Sequence, residues 1–108
     1  MPHIIIEYSR ELEIVVPDVL KAVHSHISEC GLFSPQAVKG RSSAFDNVVL
    51  PEGAKNFMHI TVAILSGRSE EERSALSQAV FALAKQHAPK VDKLSIDIRE
   101  MVAATYTK

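Results

Sequence analysis

The sequence has no tryptophan, a single cysteine and no surplus of positive charge: 12 Lys and Arg stand against 13 Asp and Glu over 108 residues. With no run of five or more cations, it lacks the electrostatic footprint of a nucleic-acid binder, and no nucleic-acid partner is expected. Cys30 has no second thiol to meet, which excludes an intrachain disulfide and suits a reducing cytoplasm. The apolar runs are too short to span a bilayer. The first residues also do not join a basic stretch to an apolar one and a small-residue cleavage site. Neither a membrane partner nor secretion is expected, which leaves a cytoplasmic location.

What is present fits one soluble domain over 1–108, because 46% hydrophobic and 23% charged residues are ordinary globular proportions. A domain this short buries a smaller share of its surface than a larger one, and association of identical subunits is a natural remedy.

Periodicity divides the chain into two similar halves. Residues 2–8, rich in β-branched and aromatic types, predict a largely buried strand starting almost at the amino end. Pro17 suits a first helical turn, Leu20, Val23, Ile27 and Cys30 follow at helical spacing, and Gly31 offers a cap, so 17–30 reads as a helix with Cys30 in its core stripe. From Ala37 to Phe45 a second strand places Lys39, Arg41, Ser43 and Phe45 on one face. Residues 46–56 read as a loop.

In the second half, 57–65 alternates Met58, Ile60, Val62 and Ile64 against Phe57, His59, Thr61 and Ala63. Ser69 with Glu72 forms a capping box, the acidic residues 70–72 suit the positive end of a helix dipole, and Leu76, Val80, Leu83 and Ala84 make an apolar stripe that Pro89 stops. Leu94, Ile96 and Ile98 alternate with Ser95, Asp97 and Arg99 in a last strand, followed by a short tail.

The order β-α-β, loop, β-α-β suits two folds. In a ferredoxin-like domain the strands of each unit are separated in the sheet, whereas in a tautomerase-like domain they are parallel neighbours. Periodicity does not choose between them.

The opening Met1-Pro2-His3-Ile4-Ile5-Ile6-Glu7-Tyr8-Ser9 resembles the start of 5-carboxymethyl-2-hydroxymuconate isomerases, whose signature is Pro in second place. Gly31-Leu32-Phe33, Phe57-Met58-His59-Ile60-Thr61, Gly67-Arg68-Ser69 and Leu94-Ser95-Ile96-Asp97-Ile98 agree in order and spacing. The resemblance covers nearly the whole chain. It departs at Val38-Lys39-Gly40-Arg41, where the family has Ile-Arg-Ser-Arg, and in a shorter carboxyl-terminal tail.

The resemblance implies an α/β (α+β) tautomerase-like fold: two β-α-β units, a four-stranded mixed sheet and two helices on one face. It further implies a homotrimer with pockets between subunits, no cofactor and no metal. The activity it implies is a proton shift in a small unsaturated keto or enol carboxylate. Pro2 would be the base once Met1 is removed, a removal that a small second residue favours. A cation about 6 Å away at an effective dielectric of about 20 opposes protonation of that nitrogen by roughly 3 kcal/mol, which keeps a base ready near neutral pH. Arg68 would share the catalytic work, with Lys39 and Arg41 binding the carboxylate and Phe33, Phe45 and Phe57 supplying apolar walls. Lys39 is a point charge and does not grip a carboxylate in the bidentate way of arginine.

Plainer readings accompany each residue. Without the resemblance, Pro2 is an ordinary second residue, Lys39 and Arg41 a solvated strand face, and Arg68 a surface partner of Glu71 or Glu72. His3 and His59 read as hydrogen-bonded structural residues, and His24 and His26 face different ways on their helix, so no metal site is expected. Two rival functions remain: a non-enzymatic trimer of the same fold serving as a binding or signalling module, as resemblance to macrophage migration inhibitory factor allows, and a ferredoxin-like ligand-binding domain.

Overall fold

The computed structural model describes residues 1–108. Strand β1 (His3–Ser9) is followed by a 3-10 turn at Arg10–Leu12 and helix α1 (Val16–Glu29). A second 3-10 turn (Pro35–Ala37) leads to β2 (Lys39–Phe45), then β3 (Phe57–Leu65), α2 (Glu70–His87) and β4 (Lys93–Met101).

The strands lie in the order β2-β1-β3-β4. β1 runs parallel to β2, β3 parallel to β4, and the two units meet where β1 and β3 run antiparallel. Each β-α-β unit therefore joins neighbouring parallel strands. The ferredoxin-like alternative, which needs those strands apart, is overturned by this order.

Alternation fixes which face is buried. Ile4, Ile6 and Tyr8 of β1 join Met58, Ile60, Val62 and Ile64 of β3 under the helices, which bring Val16, Val19, Val23 and Ile27 from α1 and Leu76, Val80 and Ala84 from α2. At roughly 1.5–3 kcal/mol for each such side chain buried, a one-residue slip of β3 would expose four of them, so the register is strongly set. Gly40 lies on the same side of β2, and a Cβ there would come within 2.9 Å of Leu20 Cδ1. A bare backbone at this point lets α1 sit close.

Differences from the sequence reading lie at the element ends. Pro2 precedes β1, yet its carbonyl accepts from Lys39 N at 3.0 Å, so the ladder to β2 starts one residue before the strand. Residues 35–37 coil into a turn, since Pro35 fixes φ and Ala37 N bonds back to Ser34 O at 3.0 Å. Cys30 does not join the core: it caps α1 half-buried, its thiol donating to Ile27 O at 3.2 Å. Leu83 is likewise only half-buried.

The other face of the sheet carries no helix. It presents His3, Ile5 and Glu7 beside Lys39, Arg41 and Ser43 on one side and Ala63, Thr61 and His59 on the other.

Candidate active site

The amino end is held against the entrance of β2. The Met1 ammonium donates to Ala37 O at 2.8 Å, and Lys39 N bonds the Pro2 carbonyl. The Pro2 ring is fully buried. It forms part of a cavity of about 230 Å³ whose other walls include Leu32, Phe33, Leu65, Arg68 and Lys108, with Met1 at the same site.

Two glycines shape that cavity. Gly31, at φ +84°, follows the half-buried cap of α1 and turns the chain into Leu32 and Phe33. Gly67, at φ +124°, turns the end of β3 into Arg68 and the cap of α2. The stretches Gly31-Leu32-Phe33 and Gly67-Arg68-Ser69, far apart in sequence, meet here: Arg68 Nη2 donates to the Leu32 carbonyl, and the guanidinium lies 5.1 Å from the centre of the Phe33 ring. Phe33 thus holds a cation as well as walling the pocket. The alternative partners of Arg68 are not used, because the Glu72 carboxylate accepts from Ser69 N at 3.0 Å in the capping box and no Arg68 ion pair forms.

Cationic surroundings act on the chain start. Lys39 Nζ donates to the Ala37 carbonyl at 3.4 Å, the acceptor that the Met1 ammonium also uses. That ammonium titrates below the ordinary α-amino value because burial disfavours its charge, with repulsion from Lys39 and then Lys108 adding to the effect.

The remaining residues expected at the site lie elsewhere in the subunit. Arg41 is on the open sheet face, its Nη1 3.2 Å from His3 Nδ1. Guanidinium only donates, so Nδ1 accepts, and the remaining ring N–H at Nε2 donates to the Tyr106 hydroxyl at 2.8 Å. His3 titrates below the usual histidine value, through burial first and then repulsion from Arg41, Lys39 and the amino terminus. Phe45 and Phe57 meet at the other end of β1, with ring centres 6.4 Å apart and planes tilted by 55°, where Phe45 pairs with Ser9. Six residue steps of about 3.3 Å separate that pair from His3 along the strand, roughly 20 Å.

Leu32, Leu65 and Lys108 line the pocket without having been singled out in the sequence. Leu32 and Leu65 carry no sequence signal beyond adjoining Phe33 and ending β3, and Lys108 sits in a tail with no periodicity. His59 bonds Ser95 Oγ at 2.6 Å, a structural role, and no three His, Cys, Asp or Glu side chains converge on a metal-sized site.

Residues 2–108 match the family described as 5-carboxymethyl-2-hydroxymuconate isomerase. The chain is 27% identical to a 5-carboxymethyl-2-hydroxymuconate Delta-isomerase of Escherichia coli over 110 residues, 94% of this chain and 87% of that protein. Its fold matches the crystal structure of a 5-carboxymethyl-2-hydroxymuconate isomerase from Deinococcus radiodurans R1 with a TM-score of 0.85 at 24% identity, over 99% of this chain and 87% of that one. A wild-type fused 4-OT, a symmetric trimer, matches with a TM-score of 0.82 at 14% identity, over 98% and 90% of the two chains.

Proposed function

The chain belongs to the 5-carboxymethyl-2-hydroxymuconate isomerase family and is an isomerase, and we propose that it moves a proton within a small unsaturated enol or keto carboxylate, with the Pro2 nitrogen as base after Met1 is removed. The observation that carries this reading is the enclosure of Pro2 in one cavity with Arg68 and Phe33.

Removal of Met1 converts the Pro2 nitrogen from an amide into a secondary amine with a free lone pair. The Pro2 nitrogen adjoins the position where burial and Lys39 lower the titration of the Met1 ammonium, and the same surroundings would disfavour its protonated form and keep it ready to accept a proton near neutral pH. It takes the enol hydroxyl proton, the oxygen becomes a carbonyl as the conjugated electron pair shifts towards carbon, and the same proton is returned to that carbon. Charge and atoms balance with no net oxidation or reduction, so the step calls for no outside oxidant or reductant. Arg68 stabilises the negative charge that builds on oxygen and binds the adjacent carboxylate, while Leu32, Phe33 and Leu65 limit water.

The bare face of the sheet supports assembly as a homotrimer, as in the fused 4-OT. Arg41, Phe45 and Phe57 lie outside the pocket of their own subunit, and in a trimer they would be available to the pocket of a neighbour. The test compares protein processed to Pro2, verified by intact mass, with protein that retains Met1, on 2-hydroxymuconate. The retained form is expected to be about 100-fold slower or worse. Equal turnover by the two forms overturns Pro2 as base.

A further inference from the structure

We propose that Lys108 is a second carboxylate-binding cation of the Pro2 pocket, held there by a latch between Tyr106 and His3, and that it makes the site selective for dicarboxylic over monocarboxylic substrates. This rests on reading the cavity as an acid-binding tautomerase site.

The tail after β4 has a defined path. Edge strand β4 ends at Met101, whose carbonyl accepts from Ser66 N at 2.9 Å, tying the strand end to the turn before Arg68. The chain then folds on itself, with Thr105 N and Tyr106 N both bonded to Val102 O at 3.1 Å. This turn carries the tail past β3 to β1, where the Tyr106 hydroxyl accepts from His3 Nε2 at 2.8 Å and the two rings meet edge to face at 6.1 Å. Two residues further on, Lys108 reaches the cavity that holds Pro2 and Arg68. Its charge is felt at the chain start, where it opposes protonation of the amino group.

Arg68 and Lys108 share one cavity but differ in what they do there. Arg68 is committed by its bond to Leu32 and by the Phe33 ring. Lys108 forms no hydrogen bond or ion pair within the chain and is exposed, so it reaches an incoming anion without giving up a partner. A second cation in a cavity of about 230 Å³ matches a short chain with an acid group at each end better than one with a single acid. Arg68 would bind the acid beside the reacting enol and Lys108 the distal one. Lys108 therefore sets substrate choice, and Tyr106 is a positioning residue.

The test uses two unreactive probes with the same six-carbon skeleton: trans,trans-muconate, with two carboxylates, and sorbate, with a methyl group in place of one. Binding to the processed protein is measured by calorimetry for wild type, Lys108→Gln and Tyr106→Phe. Lys108→Gln is expected to weaken muconate about tenfold and sorbate less than about twofold. Tyr106→Phe keeps the ring and removes the hydroxyl, and it should give a smaller loss of the same selective kind at unchanged melting temperature. Equal weakening of both probes, no effect on either, or no saturable muconate binding to wild type would each overturn the proposal. Turnover of 2-hydroxymuconate is measured separately on wild type. Its absence would remove the tautomerase reading, while the muconate and sorbate comparison would still decide whether Lys108 grips a second acid.

Discussion

At position 68 the structure asks for a guanidinium rather than any cation. One N–H of Arg68 is spent on the Leu32 carbonyl and the planar group lies against Phe33, leaving other donors of the same fork for a substrate oxygen. A lysine supplies charge but not this division of labour. Arg68→Ala is expected to lower kcat/KM for 2-hydroxymuconate about 100-fold, and Arg68→Lys to restore no more than about a tenth of wild-type activity. Wild-type turnover in Arg68→Ala would remove this residue from the mechanism. His3 gives a pH prediction. Its folded pKa is depressed by burial and by Arg41, Lys39 and the amino terminus, with Tyr106 as its other neighbour. As pH falls below the ordinary histidine value of about 6.5, the unfolded chain therefore takes up a proton that the folded chain refuses, and stability declines. His3→Gln should flatten the fall in melting temperature between about pH 6.5 and 5. An unchanged slope would show that other groups cause it. Pro2, Arg68 and Phe33 were readable because a shared pattern singled them out. The partners that give them their environment, Leu32, Leu65 and Lys108, were not, since each is defined by where a turn points and not by spacing.

Among the elements, β3 and α2 were the most legible. Strict alternation over 57–65 has one burial solution under helices, and Ser69 with Glu72 marks a helix start whatever lies around it. Both capping bonds form, at 3.0 and 3.1 Å, so Ser69→Ala is expected to cost about 1 kcal/mol, read as a lower melting temperature. The cost should extend to activity, because the capped turn directly follows Arg68. No loss of stability would mean that water or a neighbouring group satisfies the freed Glu72 N–H. Less legible were the turns at 10–12 and 35–37 and the start of β2. At the start of β2 the deciding contacts are long-range: Met1 holds Ala37, and Pro2 holds Lys39. A chain read in windows contains no trace of a bond between its first residue and its thirty-seventh. Strand adjacency was equally hidden, since a β-α-β period serves two sheet orders and only the pairing of β1 with β2 distinguishes them.

At the scale of the whole molecule, one sheet face is covered by helices and the other is bare, and both outer strands have a free edge. A chain of 108 residues with that geometry is expected to bury the bare face against copies of itself. Native mass spectrometry should give three times the mass of one chain, and the melting temperature should rise with protein concentration. A monomer at micromolar concentration would leave Arg41, Phe45 and Phe57 without access to a pocket. Met1 and Lys108 come together at a single cavity, which bears on how this protein can be handled. An affinity handle fused before Met1 or after Lys108 would crowd that cavity. The segment around Val49, almost wholly solvent-exposed and at the far end of the sheet, keeps a label clear of that cavity.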